Sequence, residues 1–463
     1  MNNLSRRDFV TQSLGAAGAL AWANRAAAAE AAATFNPAGE RPNILYVILE
    51  DINPALACYG QPLVRTPHLD QFAAEGVRFS SAFCTAPVCS ASRSAIFTGC
   101  YQTSIGCHNH RTWDWNKRPL PAPVRHLCDW YRQAGYYTCN LHPSAAQMGR
   151  TKPALFGELG NGKIDLNMVI EQPAPGDPFD GRDWNQRKPG QPFFAHVTLF
   201  ETHKGGGWTA ARRQPKAELV DPAKVTLPPY WPDDPIARDE YANYLDVIHL
   251  TDRNFGRLME RLKREGLADN TLVVVGSDHG ALFRGKQFLY DDGMHVPLIM
   301  RFPGGQRRGT VDDRLVSSVD LAPTMLGMAG IRPPAGAMQG GDLFDPHVAP
   351  RECVYAARDR MDIAVDRMRA VRTRRYKYIR NQLPAVPYQQ ANPYKERFYP
   401  GERAGLRRPR RPHDDRSRSG RRRLGLCGLS PSAAGRTQYD RSGDHQSMDQ
   451  PADGRPKAAD GYA

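Results

Sequence analysis

The chain has 463 residues, 41% hydrophobic and 24% charged, a balance that marks a globular protein with about two to three domains' worth of buried core. Its 62 Lys and Arg against 48 Asp and Glu leave a formal net charge of +14, compatible with an anionic partner. Much of that excess sits in the C-terminal tail, which sets nucleic acid aside as the partner.

Arg6 and Arg7 in "SRRDFV" precede a mildly apolar run that ends in the small-residue stretch Ala26 to Ala29. This is the pattern of a twin-arginine export signal and its cleavage region, and the run is too short to span a bilayer. Residues 1–30 are therefore set outside the fold, and the protein is expected in the periplasm or beyond it, delivered by the twin-arginine translocon. That route carries folded proteins, so a modification that needs cytosolic machinery is completed before export.

From residue 41 onward, apolar runs alternate with helix-like stretches, as in an α/β domain built on a large, mostly parallel sheet. "NILYVIL" (43–49) reads as a buried strand that ends directly in Glu50 and Asp51. "APVCSASRSAIFTG" (86–99) places Cys89 ahead of a helix and Arg93 one turn into it, where backbone amides and the helix dipole favour negative charge. A lone cysteine before a helix is more often structural than chemical. His108 and His110 in "GCHNHRT" follow; on a strand, residues one apart face the same side, so both are candidates to line a pocket or hold a metal.

"EQPAPGDPFDGRDWNQRKPGQP" (171–192) reads as loop, "FFAHVTLF" (193–200) as a second buried strand ending near His203, and "TLVVVGS" (271–277) as a third ending in Asp278 and His279. Between these two strands, Leu245, Ile248, Phe255, Leu258 and Leu262 recur at helical spacing until Gly266. In open α/β sheets ligands bind beyond the carboxyl ends of the strands, so three strands deliver carboxylates and histidines to one edge. The Pro- and Gly-rich stretch 331–350 is read as a linker, and "RAVRTRRYKYIRN" (369–381) as a strand pair in a smaller antiparallel sheet.

The resulting division is a signal at 1–30, a catalytic α/β domain at 41–330, a partial C-terminal subdomain at 351–398, and a tail at 399–463. The tail has few apolar residues and no period. It is read either as a disordered basic segment or as the product of a coding-frame slip that interrupts the C-terminal subdomain. Nine cysteines, Cys58, Cys84, Cys89, Cys100, Cys107, Cys128, Cys139, Cys353 and Cys427, contain no C-x-x-C pair, so no zinc pattern is present. They are read as buried small hydrophobes or as a few disulfides of unreadable pairing; the odd count flags one thiol as special.

"CSASR" followed by "SAIFTG" resembles the signature of the type I, formylglycine-dependent sulfatases of the alkaline phosphatase superfamily. The resemblance runs from "RPNILYVILEDI" to about residue 395 through "FFAHVTLFETH", "LVVVGSDHG" and "GKQFLYDDGMHVPLIMRFPG", and the heparan N-sulfatase (sulfamidase)-like enzymes are the closest subgroup. It implies an alkaline-phosphatase-like sheet and a Cys89 oxidised to Cα-formylglycine by a cytosolic formylglycine-generating enzyme. The hydrated aldehyde would attack sulfur with one hydroxyl and expel sulfate through the other.

The resemblance further implies calcium, with Mg²⁺ or Mn²⁺ as alternatives, at Glu50, Asp51, Asp278 and His279. Two of those positions depart from the family's usual Asp and Asn. Lys286 and His203 match its sulfate-binding and proton-donating residues, either able to protonate the departing atom. Lys163 in "GKID" stands where the family carries "GKxH", so the expected histidine is missing, and His108 is a further substrate-binding candidate. The implied substrate is a sulfated small molecule or glycan, as an O-sulfate or N-sulfate. Competing readings are a phosphate or phosphonate ester hydrolase of the same superfamily and an inactive, frame-disrupted relative.

Overall fold

The computed structural model describes residues 41–112, 114–142, 162–281, 285–388, 390, 392, 397 and 398. The export signal and the tail from 399 lie outside the described residues. By internal contacts the chain divides into residues 1–404 and 405–463, and everything below concerns the first unit.

In chain order the elements are β1 (Asn43–Leu49), α1 (Pro67–Ala74), β2 (Val77–Phe79), β3 (Ala82–Phe83), α2 (Cys89–Thr98), α3 (Leu127–Gln133), β4 (Tyr137–Asn140), β5 (Phe193–Leu199), α4 (Gly206–Ala211) and α5 (Pro235–Arg264). They continue as β6 (Thr271–Ser277), α6 (Asp291–Met294), β7 (Leu298–Arg301), β8 (Thr310–Asp312), β9 (Val316–Ser317), α7 (Leu321–Met328), β10 (Val354–Arg358), β11 (Met368–Arg372) and β12 (Lys377–Asn381). Short 3₁₀ turns lie between several of them.

Seven strands form one sheet in the order β4-β5-β1-β6-β7-β2-β8. The pairs β4–β5, β5–β1, β1–β6 and β2–β8 are parallel, whereas β7 runs antiparallel to both β6 and β2. The expected mixed, mostly parallel α/β sheet is what forms. The strands β5, β1 and β6 are buried at every position because both of their faces are covered. Ile44, Tyr46, Ile48, Phe194, Leu272 and Val274 enter one core with Ile96 and Phe97 of α2, Leu127 and Trp130 of α3, and Leu321 and Met325 of α7. Their neighbours Leu45, Val47, Leu49, Phe193, Val197, Val273 and Val275 enter a second core with α1, α4 and α5.

The helix expected from Leu245 to Leu262 is the core-facing stripe of the longer α5, and all five of its marker residues are buried. Asp234 caps its start by accepting from the Ala237 amide at 2.9 Å, with Pro235 at the first helical position. Gly266, at φ 70°, takes the left-handed turn just past its end. Residues 331–350 contain no helix or strand, as their Pro and Gly content suggests. The expected strand pair is the antiparallel hairpin β11–β12, which β10 extends to three strands. This small sheet sends Val354, Met368 and Ala370 into the first core. All eight described cysteines are free thiols, six of them buried, so no disulfide forms among the described residues.

Candidate functional site

The three central strands β5, β1 and β6 lie side by side, and each runs out of hydrogen-bonded pairing at the same edge. Glu50 and Asp51 follow β1 directly, His203 stands four residues past β5, and Asp278 and His279 follow β6. Asp51 adopts φ 48°, a left-handed conformation that Asp tolerates better than most residues. Opposite them stands the N-terminus of α2, whose first residue is Cys89, preceded by an extended Val88. Cys89, Glu50, Asp51, Arg93, Asp278 and His279 are all at most 1% exposed.

Arg93 organises the carboxylates. Its Nη2 lies 2.5 Å from Glu50 Oε2 and its Nε 3.2 Å from Asp278 Oδ2, while Nη1 donates to Thr198 Oγ1 at 3.2 Å and to the Lys163 carbonyl at 3.4 Å. Lys163 pairs with the other oxygen of Glu50, and Lys286 Nζ lies 2.7 Å from Asp51 Oδ2. His279 Nε2 stands 3.1 Å from Asp51 Oδ1 and 3.2 Å from Cys89 Sγ. Its Nδ1 meets the Gly280 carbonyl at 2.7 Å and so carries a proton, which turns Nε2 toward the site; burial opposes a charge on this ring, but Asp278, Asp51 and Cys89 raise it to about 9.

Charge is unevenly balanced here. Burial raises the Asp51 carboxyl more than Lys286 and His279 lower it, leaving it near 7, and burial together with Glu50 raises Asp278 as well. Burial works against the Glu50 carboxylate too, but Arg93 and Lys163 outweigh it and hold that group at about 2. Around Cys89, burial opposes ionisation, yet Lys163, Lys286 and His279 together pull the thiol well below its ordinary value. His203 is driven the other way: burial, Lys286 and Lys163 keep its ring neutral.

Ligand atoms of Asp51, Cys89, Asp278 and His279 lie within 4.8 Å of one another. Two buried carboxyls beside an imidazole whose Nε2 points at them form a donor set that fits a divalent cation, which would take the place of the proton that Asp278 and Asp51 hold on that ring against burial. Glu50 does not join this group. It clusters instead with Cys89 and His203, its oxygens taken by Arg93 and Lys163, so the expected four-residue metal set divides into three and one.

Lys163 is inside the site rather than on the surface, and Asp165 occupies the place where a histidine was expected. Residues 107–112 form no strand, so the strand geometry from which His108 and His110 were expected to share one side is absent. His110 is 3% exposed and groups with Cys89 and Asp165, whereas half-buried His108 is in no such cluster. Thr198 and His196 also reach the site. They alternate on β5 on the face that α2 covers, where His196 meets the Phe97 ring edge-on at 5.2 Å. Two polar residues two apart inside an otherwise apolar strand were the available signal. Asp362, which faces His110 from the C-terminal segment at 3.5 Å, left no signal, since it lies 252 positions away in a loop.

Sheet order, the strand-end carboxylates and a buried cysteine at a helix start define an alkaline-phosphatase-like hydrolase fold. The chain belongs to the sulfatase family: the family model described as Sulfatase matches residues 42–168 and 179–331. A second model, N-sulphoglucosamine sulphohydrolase, C-terminal, matches residues 278–388. An ulvan-active sulfatase of Formosa agariphila is 34% identical over 402 residues, covering 78% of this chain and 64% of that protein, so the chain spans about two thirds of this relative's length. Human N-sulphoglucosamine sulphohydrolase is 24% identical over 405 residues, 77% of this chain and 76% of the relative.

Among solved structures, a protein in complex with its substrate D-glucosamine-2-N,6-O-disulfate has a TM-score of 0.52 at 20% identity, covering 79% of this chain and 96% of its own. The phosphonate monoester hydrolase of Agrobacterium radiobacter has a TM-score of 0.51 at 21% identity, covering 82% and 96%. These two likenesses concern the fold.

Proposed function

We propose that the protein is an exported sulfatase that removes O-linked or N-linked sulfate from a sulfated glycan, with Cys89 oxidised to formylglycine and a divalent cation at Asp51, Asp278 and His279. The observation that carries this reading is the setting of Cys89: fully buried at the start of α2, its Sγ groups with Asp51, Asp278 and His279, and Lys163 and Lys286 act on it as cations. A pocket that favours an anion at that point favours a sulfate group beside it. The names of the relatives, active on ulvan or on sulphated glucosamine, support a glycan as the substrate.

A hydrated aldehyde at position 89 would supply one hydroxyl as nucleophile and a second through which sulfate leaves. A bound cation, calcium by family resemblance, would supply Lewis-acid polarisation of the sulfate oxygens. The remaining work belongs to the chain's own side chains. Arg93 fixes the orientation of Glu50 and Asp278, and Lys163 and Lys286 balance negative charge on either side of Cys89. His203 completes the wall beside Glu50. Full burial of the carboxylates keeps bulk water from screening these interactions.

Arg6 and Arg7 support export through the twin-arginine translocon after a cytosolic formylglycine-generating enzyme has acted. The test is peptide mapping of the protein from its native host, together with hydrolysis of an aryl sulfate and an aryl phosphate with and without chelator. An aldehyde at position 89 and chelator-sensitive preference for the sulfate are expected. An unmodified thiol overturns the nucleophile, and preference for phosphate by orders of magnitude overturns the sulfatase reading in favour of a phosphate or phosphonate ester hydrolase.

A further inference from the structure

Hydrolysis of an ester or sulfamate needs a proton for the departing atom, and three cationic candidates at the site are engaged or uncharged. Lys286 is held by Asp51 at 2.7 Å, Lys163 by Glu50, and His203 is kept neutral. His110 differs from all three. Its ring is 3% exposed, Nδ1 faces Asp362 Oδ1 at 3.5 Å while Nε2 makes no hydrogen bond, and it groups with Cys89 and Asp165, their ligand atoms within 4.8 Å of one another. A buried imidazole nitrogen without a hydrogen-bond partner beside a nucleophile position is a group whose partner is supplied by a ligand.

The surroundings fix the ring from several sides. The His110 amide donates to the Arg360 carbonyl at 2.8 Å, and Arg360 Nη2 donates back to the His110 carbonyl at 3.1 Å. Arg360 opens a turn closed by reciprocal 2.9 Å hydrogen bonds between Met361 and Ala364, and at its tip Asp362 places Oδ1 3.5 Å from His110 Nδ1. On the other side the Arg111 amide donates to Ser90 Oγ of α2 at 2.8 Å, so the segment is tied to the nucleophile helix.

Location distinguishes the leaving-group side from the sulfate side. Exposure rises from the 0–1% of Asp51, Asp278 and His279, through His110, to 19% for the Asp165 side chain and 58% for that of Arg111. A glycan must extend toward solvent, so the bridging atom lies on the His110 side of the nucleophile and the sulfate oxygens on the carboxylate side.

We propose that His110 is the catalytic acid of this pocket, giving its Nε2 proton to the departing oxygen or nitrogen, and that Asp362 is the residue that positions it. The inference rests on the sulfatase reading above. As the bond from sulfur to a hydroxyl oxygen at position 89 forms, that hydroxyl gives its proton to Asp51, whose Oδ1 lies 3.8 Å from Cys89 Sγ, and the bond from sulfur to the leaving atom breaks. The electron pair goes to that atom, which takes the His110 proton, and solvent reprotonates the neutral imidazole. The groups facing His110 are Cys89 from α2, Asp165 and Lys163 from the 162–168 segment, and Asp362 and Arg360 from the C-terminal turn. Burial lowers its proton affinity, while Asp362, Cys89 and Asp165 raise it; of these, Asp362 and Asp165 remain when position 89 is formylglycine.

The experiment compares the full-length metal-loaded enzyme with His110→Gln and Asp362→Asn on two sulfate esters, one leaving as 4-nitrophenolate and one as a sugar alkoxide. A lost general acid costs about 10²–10⁴-fold on the alkoxide ester and much less on the nitrophenyl ester, which leaves without a proton. Asp362→Asn is expected to shift the alkaline limb of the pH profile downward. In ¹³C-histidine NMR the resonance missing from His110→Gln is expected to titrate at lower pH in Asp362→Asn.

Equal losses on both esters, or an unchanged His110 titration in Asp362→Asn, overturn the proposal; melting temperatures near that of the unmodified sequence show that the variants fold. Should the enzyme cleave neither sulfate, the same pair of leaving groups is run as phosphate and phosphonate monoesters. A leaving-group-dependent loss there upholds His110 while the sulfatase reading fails, and inactivity on every ester overturns both.

Discussion

Arg93→Met is the substitution whose cost the structure specifies best. The guanidinium is fully buried and its forked donors are spent on Glu50, Asp278, Thr198 and the Lys163 carbonyl. Methionine fills similar volume but leaves Asp278 with only His279, 3.9 Å away, and Glu50 with Lys163. Removing one partner of a buried ion pair costs about 3–5 kcal/mol, because the surviving charge keeps its desolvation penalty. Arg93→Lys restores the charge, but one ammonium cannot span both carboxylates as the fork does, so about half of the loss should remain. The assay is equilibrium urea unfolding of chelator-treated protein, followed by fluorescence and circular dichroism together. In a double-mutant cycle with Glu50→Gln, contact between the two residues predicts about 1–3 kcal/mol of coupling. A loss below about 1 kcal/mol for Arg93→Met, or no coupling to Glu50, would refute the view that this arginine balances the site's buried charge.

Three further outcomes are expected. His126 caps α3 through Nδ1, 3.1 Å from the Cys128 amide, and burial lowers its pKa to about 3. Its stabilising neutral form is fully present above pH 6.5 and is lost as pH falls toward 3, by up to about 4–5 kcal/mol; His126→Asn, which keeps a capping oxygen, should flatten the acid side of the stability profile. Glu201 has the opposite sign: burial raises it to about 7, with Asn254 and Thr251 as hydrogen-bond partners. Its contribution is present below about pH 4.5 and lost as pH rises through 7, so Glu201→Gln should recover about 3 kcal/mol at pH 8 if the amide keeps both partners, and a steeper alkaline loss in the variant would contradict this. Chelation should lower the melting temperature of metal-loaded protein, with a smaller effect in His279→Ala, since a cation bound at 100 times its dissociation constant stabilises by about 2.7 kcal/mol.

The parts of this protein that its sequence determines by itself are those in which neighbours along the chain settle the physics. A run such as "NILYVIL" must be buried on both faces wherever it lies, and the residues that follow it must emerge at the strand's end; Glu50, Asp51, Asp278 and His279 were legible for that reason. Cys89 and Arg93 share one helical turn, so their proximity is also local. The periodicity of α5 and the hairpin β11–β12 belong to the same class.

Tertiary structure decided what depends on charge balance between distant segments. Whether Glu50 serves a cation or an arginine turns on Arg93 and Lys163, which arrive from 43 and 113 residues away and hold both of its oxygens. Whether His108 or His110 reaches Cys89 turns on the irregular path of residues 107–112, which carries no strand period to read. Asp362 became part of the site only because the C-terminal turn folds back onto that path. A loop's sequence specifies its turns, whereas its docking depends on the backbone groups of both partners meeting, as Arg360 and His110 do.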